Sequence, residues 1–193
     1  MKYLLFSIIV ISTLLLGCKG DNQKKQKLEN KPTTPRSVYM AKGKEIAKTT
    51  FETLLTELQK GLQNGGLPHG VKYCNTKAMP ITDSLSKAYN VSIKRVSDKY
   101  RNPNNKPTTK ESEMIDNYKK NLAAGIKIAP TVKNIDGKSV FYAPIKIQGM
   151  CLACHGDNNT TPNATIKELY PNDLATGYKV GDLRGMWSIT FNN

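Results

Sequence analysis

Apolar residues first recur with a helical period after position 46. Ala47, Phe51, Leu54, Leu55, Leu58 and Leu62 stand three and four residues apart, a stripe of about five turns, and Gly61 with Gly65-Gly66 is expected to end it. The same spacing returns in Val71, Cys74, Ala78, Ile81, Leu85 and Ala88, with Pro80 in the middle. Proline brings no amide donor, so a kink or a cap is expected there. Val91-Ser92-Ile93-Lys94-Arg95-Val96 is β-branched and partly alternating, which predicts a strand. Asn102 to Pro107 is turn chemistry, and Thr108 or Thr109 is placed to cap a short helix running to Leu122. Asp136-Gly137 lies between Thr131-Val132 and Val140-Phe141-Tyr142, a hairpin pattern, and Met186 to Phe191 predicts a closing strand. No internal repeat is visible. Helices first and strands mostly later predict an α+β fold with an antiparallel sheet.

The beginning of the chain follows another pattern. Met1-Lys2 precedes a largely apolar run from Tyr3 to Leu16, shorter than the roughly 20 residues that a membrane-crossing helix needs. It reads as a leader peptide. The run closes on Leu15-Leu16-Gly17-Cys18, which resembles the bacterial lipobox, where cleavage leaves an acylated cysteine as the first residue. An ordinary secretory site or an uncleaved anchor is the alternative. Residues 19–37 hold one large apolar residue, Leu28, and two prolines, too little apolar surface to offset the entropy of ordering. The expected organisation is therefore a signal peptide over 1–17, a lipidated tether over 18–37 and one domain over 38–193. This puts the domain in the cell envelope, held to a bacterial membrane, on its periplasmic side.

Charge and size narrow the function classes. A chain of 193 residues with 38% hydrophobic positions has room for one ordinary domain and its core. Twenty-nine Lys and Arg against 15 Asp and Glu give a net charge of +14, shared between tether and domain. A basic surface suggests nucleic acid, but the export signal argues against it. Anionic lipid headgroups or an acidic redox partner fit better, beside the plain alternative of a merely soluble basic face. Four cysteines are too few for a disulfide scaffold.

Their positions matter more than their number. Cys151-Leu152-Ala153-Cys154-His155 sets two thiols where they can add to the vinyl groups of a haem, with the next residue, a histidine, placed beneath the iron. Attachment of one haem c is the direct reading. A redox dithiol gains nothing from the following His. Zinc is the stronger rival, because Cys74, Cys151, Cys154 and His69 or His155 would complete a Cys3His set. With Cys18 acylated and Cys151 and Cys154 bonded to porphyrin, Cys74 has no thiol to pair with in an oxidising compartment. It is either a buried small hydrophobe or a thiolate that binds the iron opposite His155. His69, Met79 and an open or water-filled site are the other candidates for that position. Arg95, Arg101 and Arg184 are candidates for the haem propionates, which favour paired guanidinium donors.

Several separated motifs appear in a familiar order: Tyr73 to Pro80 around Cys74, Arg95 to Asn105, Tyr142-Ala143-Pro144-Ile145 leading into Cys151 to Gly156, and Tyr170 to Tyr178 with Gly181-Asp182-Leu183-Arg184-Gly185. Over roughly residues 40–191 they resemble the single-haem, PAS-like domains catalogued as a domain of unknown function, found in cyanobacteria, in exported bacterial proteins and in signalling proteins. The resemblance implies a PAS-like α+β fold, an antiparallel sheet with flanking helices. It also implies haem c held between His and Cys axial ligands, here His155 and Cys74.

Four functions compete. An electron-transfer or redox-poising protein fits a saturated, low-potential iron and a basic docking face. A redox or gas sensor fits if NO or CO displaces Cys74 and a separate partner reads the change. A peroxidase-like enzyme needs a vacant iron and a distal acid or base, for which only His69 is spare, so a catalyst is not expected. A zinc-stabilised structural lipoprotein is the fourth. The electron carrier is the reading preferred on sequence alone, with an unidentified redox or signalling partner and no nucleic acid.

Overall fold

A computed structural model describes residues 35–157 and 162–192. The leader, Cys18 and most of the expected tether lie outside the described residues. Helix α1 (Pro35–Gln63) begins three residues inside the stretch read as tether. Its buried positions are Gly43, Ile46, Ala47, Thr50 and Gly61, small residues for the most part. That composition lets the backbone lie close to its neighbours: a Cβ on Gly43 would stand 2.3 Å from Cγ of Phe141. Gly61 does not end the helix, contrary to expectation. It is the contact point with the second helix, where a Cβ would stand 2.9 Å from that of Tyr73. The reversal falls at Gly65 and Gly66, both at positive φ (154° and 66°), a conformation that side chains with a Cβ resist.

Helix α2 (Gly66–Tyr89) carries Pro80 in its interior and stays helical through it. It packs along α1 as a helical hairpin and ends at Asn90 in the left-handed conformation. Ser86 Oγ accepts from the Ile93 amide at 3.1 Å, tying α2 to the first strand.

Four strands, β1 (Val91–Val96), β2 (Thr131–Ile135), β3 (Lys138–Lys146) and β4 (Leu183–Phe191), form one antiparallel sheet in the order β1-β4-β3-β2. Asp136 and Gly137, at φ 50° and 81°, make the β2–β3 turn, as the mirror-image hairpin turns require. Alternation then gives the sheet two apolar faces. Val91, Ile93, Phe141, Ala143, Trp187, Ile189 and Phe191 pack with Ile46 and Ala47 of α1. On the other face Val96, Val140, Tyr142, Leu183 and Met186 pack with Ile115 and Tyr118 of α3 (Thr109–Ala123), which Thr108 and Glu111 cap reciprocally. The expected α+β class, with helices flanking an antiparallel sheet, is found. Among the described residues no helix is long and apolar enough to cross a membrane.

A third, smaller apolar cluster sits beyond the sheet: Ile147, Ala175 and Tyr178, with Cys151 and Leu152 against it. Two short helices border this region, α4 (Leu152–His155) and α5 (Asn163–Leu169), with α2 packed against both.

Candidate functional site

After β3 the chain bends through a 3-10 turn, Gly149–Cys151, directly into α4. The five residues from Cys151 to His155 therefore occupy one compact turn. That turn is laced to the segment before β4 by backbone hydrogen bonds. Ile147 donates to Asp182 (2.9 Å), Gly181 to Ile147 (3.0 Å), Tyr178 to His155 (3.0 Å) and Gly177 to Gly156 (2.7 Å).

The same segment fixes the histidine. Nδ1 of His155 lies 2.7 Å from the carbonyl oxygen of Ala175. A carbonyl can only accept, so Nδ1 carries the proton and Nε2 keeps its lone pair. Burial first, then the charges on Arg184, Arg101 and Arg95, push the imidazole down to about 3, so it is neutral at physiological pH. A neutral imidazole with its other nitrogen tied to a carbonyl is the arrangement of a metal-ligating histidine.

Arg101 holds this corner together. Its Nη2 donates to the Cys154 carbonyl at 2.7 Å and to Oδ2 of Asp173 at 3.0 Å, and lies 3.4 Å from the Ala175 carbonyl. Oδ1 of Asp173 accepts from the Ala175 amide at 2.9 Å. The Nε of Arg101 is buried and has no hydrogen-bond partner among the described residues.

Cys74, half-buried on α2, lies within electrostatic reach of Cys154, Arg95 and Arg101. Burial, and then the neighbouring Cys154, push its thiol up against the opposing pull of the two arginines. Cys154 is pushed up in the same way, first by burial. Arg95 extends over the Trp187 ring, 5.9 Å from its centroid. Arg184 donates to the Lys99 carbonyl at 3.0 Å and lies 5.6 Å from the centre of the Tyr178 ring. The Tyr178 hydroxyl is buried beside Ser97 and Arg184 without meeting hydrogen-bond geometry to either.

The fold thus gathers Cys74, Cys154, His155, Arg95, Arg101 and Arg184 at one place. Cys151 stands at its edge, its Sγ accepting from the Gln148 amide at 3.4 Å. His69 is not among them. The stretch around it is helical, so five residues put it about 500° round the axis from Cys74. It lies exposed, stacked on Tyr73 at 6.3 Å. Met79 lines a separate cleft of about 300 Å³ between α2 and β1, into which Arg95 also reaches. No group of three or more His, Cys, Asp or Glu among the described residues is arranged to hold a metal ion, so the Cys3His zinc set is not assembled. Cys18 lies outside the described residues.

Asp173 and Ala175 received no role from sequence reasoning. Ala175 acts through its backbone carbonyl, for which no side-chain signal exists. Asp173 acts through Arg101, 72 residues away along the chain, so nothing beside it in the sequence marks it.

Comparison with known proteins places the chain in a family. The model of the Tll0287-like family (Tll0287) matches residues 22–192. The chain is also similar to the crystal structure of the cyanobacterial heme-protein Tll0287, with 25% sequence identity and a TM-score of 0.65 over 83% of this chain and 98% of that one. No curated protein matches.

Proposed function

The chain belongs to the Tll0287-like family, and on that footing we propose that it is a haem protein carrying one haem c through thioether bonds from Cys151 and Cys154. Its iron would be held between Nε2 of His155 and Sγ of Cys74, and its task is electron transfer or redox poising. The observation that carries this reading is the Cys151–His155 turn itself, whose histidine has its Nδ1 proton committed to Ala175 and its Nε2 lone pair available.

The surrounding charges fit the same group. Of the three guanidiniums acting on His155, only Arg101 has a carboxylate partner among the described residues. Arg95 and Arg184 form no ion pair among the described residues, having only the Trp187 ring and the Lys99 carbonyl with the Tyr178 ring beside them, and two half-buried cations call for anions. A haem brings two propionates. The buried Nε of Arg101 is a further free donor at the same place.

When bound, haem supplies an iron that changes between ferric and ferrous states. The chain's own residues then have distinct tasks. Ala175 orients the histidine, Arg101 fixes the attachment turn, and α2 presents Cys74. A thiolate is an anionic donor that favours ferric iron, so a low potential is expected. One observation favours a second reading, a redox or gas sensor: burial first, and then the neighbouring Cys154, hold Cys74 towards its neutral thiol against the pull of Arg95 and Arg101, and a neutral thiol is a weaker ligand to ferrous iron than a thiolate. We further propose that the chain matures as a lipoprotein at Cys18 on the outer side of a bacterial membrane, with an acidic redox partner; the support for this is the sequence pattern.

The ligand assignment is tested by low-temperature EPR of the ferric protein. A low-spin thiolate signal is expected, lost in Cys74→Ser while the haem stays attached; an unchanged spectrum assigns the sixth ligand elsewhere. Exposing the reduced protein to CO and NO separates the two functions. A carrier resists binding and a sensor binds at low concentration.

A further inference from the structure

Arg101 Nη2 has two protons and three acceptors in front of it: the carbonyl of Cys154, Oδ2 of Asp173 and the carbonyl of Ala175. The third is the longest contact, at 3.4 Å, and it is the carbonyl that already accepts from His155 at 2.7 Å. The guanidinium and the imidazole therefore share one acceptor. Asp173 governs the division twice over. Its Oδ2 draws the guanidinium away from that carbonyl, and its Oδ1 fixes the Ala175 amide.

We propose that Arg101 and Asp173 are positioning residues that set how strongly the imidazole of His155 is polarised and, through it, the reduction potential of the bound iron. This rests on the haem reading above and adds a control to the same site. A histidine that gives its Nδ1 proton more fully to a carbonyl is a more anionic ligand, which favours ferric iron. A guanidinium competing for the same oxygen weakens that bond and adds a positive charge nearby, and both effects favour ferrous iron.

Removing either partner should then move the potential in opposite directions. Arg101→Gln frees the Ala175 carbonyl for His155 and leaves Asp173 unpaired, so the potential falls. Asp173→Asn keeps an oxygen acceptor for the Ala175 amide but loosens its hold on the guanidinium, which turns towards the carbonyl, so the potential rises. Arg101→Lys keeps the charge and loses the fork, and shifts the potential less than Arg101→Gln. A role confined to holding the loop in place gives no such opposition of sign.

The experiment is a spectroelectrochemical titration of the full-length, haem-loaded chain and these variants, with proton NMR of the reduced, low-spin form. The Nδ1 proton of His155 should move downfield in Arg101→Gln and upfield in Asp173→Asn, alongside the opposite shifts in potential. Potentials that do not move, move together, or move while the Nδ1 resonance stays in place overturn the proposal. Should Arg101→Gln fail to take up haem, Asp173→Asn decides by itself. A wild-type chain without haem defeats the underlying reading instead, which separates the two failures.

Discussion

Arg95 and Trp187 face each other across the β1–β4 ladder, with the guanidinium 5.9 Å from the centroid of the Trp187 ring. Arg95 has no hydrogen bond or ion pair with the described residues, although it lies beside Cys74 and Arg184. A half-buried cation of this kind costs desolvation and regains part of it from the ring. In the haem-free chain Arg95→Met should therefore change stability by less than about 1 kcal/mol. In the haem-loaded chain it should cost roughly 1.5–3 kcal/mol, the worth of a hydrogen bond to a charged group. Urea unfolding of both forms checks this, and equal effects in the two forms would exclude Arg95 as a propionate partner.

Gly43 makes a second prediction. A Cβ there would stand 2.3 Å from Cγ and 2.8 Å from Cβ of Phe141, a residue with no exposure. Neither the sheet nor α1 can yield cheaply, so Gly43→Ala should lower stability by about 1–3 kcal/mol through overpacking, despite the better helix propensity of alanine. Gly149, whose added Cβ meets nothing within 4 Å, is the control, and Gly149→Ala should leave the urea midpoint in place.

Glu111 links stability to pH. Burial pushes its carboxyl up, but the Thr108 amide, the Ser188 hydroxyl and the charge on Lys94 outweigh that and hold it below its ordinary value. A carboxylate with a depressed value in the folded chain stabilises it fully above its unfolded value, near 4.3, and loses that contribution as pH falls through the lower folded value. The wild-type chain should thus lose stability on acidification over that window. Glu111→Gln should be less stable at pH 7, by about 1–2 kcal/mol as for a lost cap, and the gap should close in acid. Thermal unfolding at stepped pH measures both, and a constant gap would contradict the assignment.

Much of this fold is legible along the chain because its signals are local. The Val91–Val96 strand, the Asp136-Gly137 turn and the Thr108 cap depend on neighbours within a few residues, and each is where the pattern puts it. The early part of α1 is not legible, because its packing face is built from Tyr39, Met40 and Gly43, and a glycine reads as a helix breaker until Phe141 is known to lie beneath it. Gly61 misleads for the same reason, since the residue that requires it, Tyr73, belongs to the next helix. At the site, the sequence displays Cys151, Cys154, His155, Cys74 and the three arginines. The Ala175 carbonyl and the clamp formed by Arg101 and Asp173 depend on segments about 70 residues apart meeting in space and leave no local trace.

The most direct test of the central claim is intact-mass spectrometry of the protein purified from cells able to mature c-type cytochromes. One haem covalently added, retained under denaturing conditions and lost when Cys151 and Cys154 are both replaced by alanine, is the expected result. A polypeptide of unmodified mass over residues 150–156, from the same cells, would contradict it.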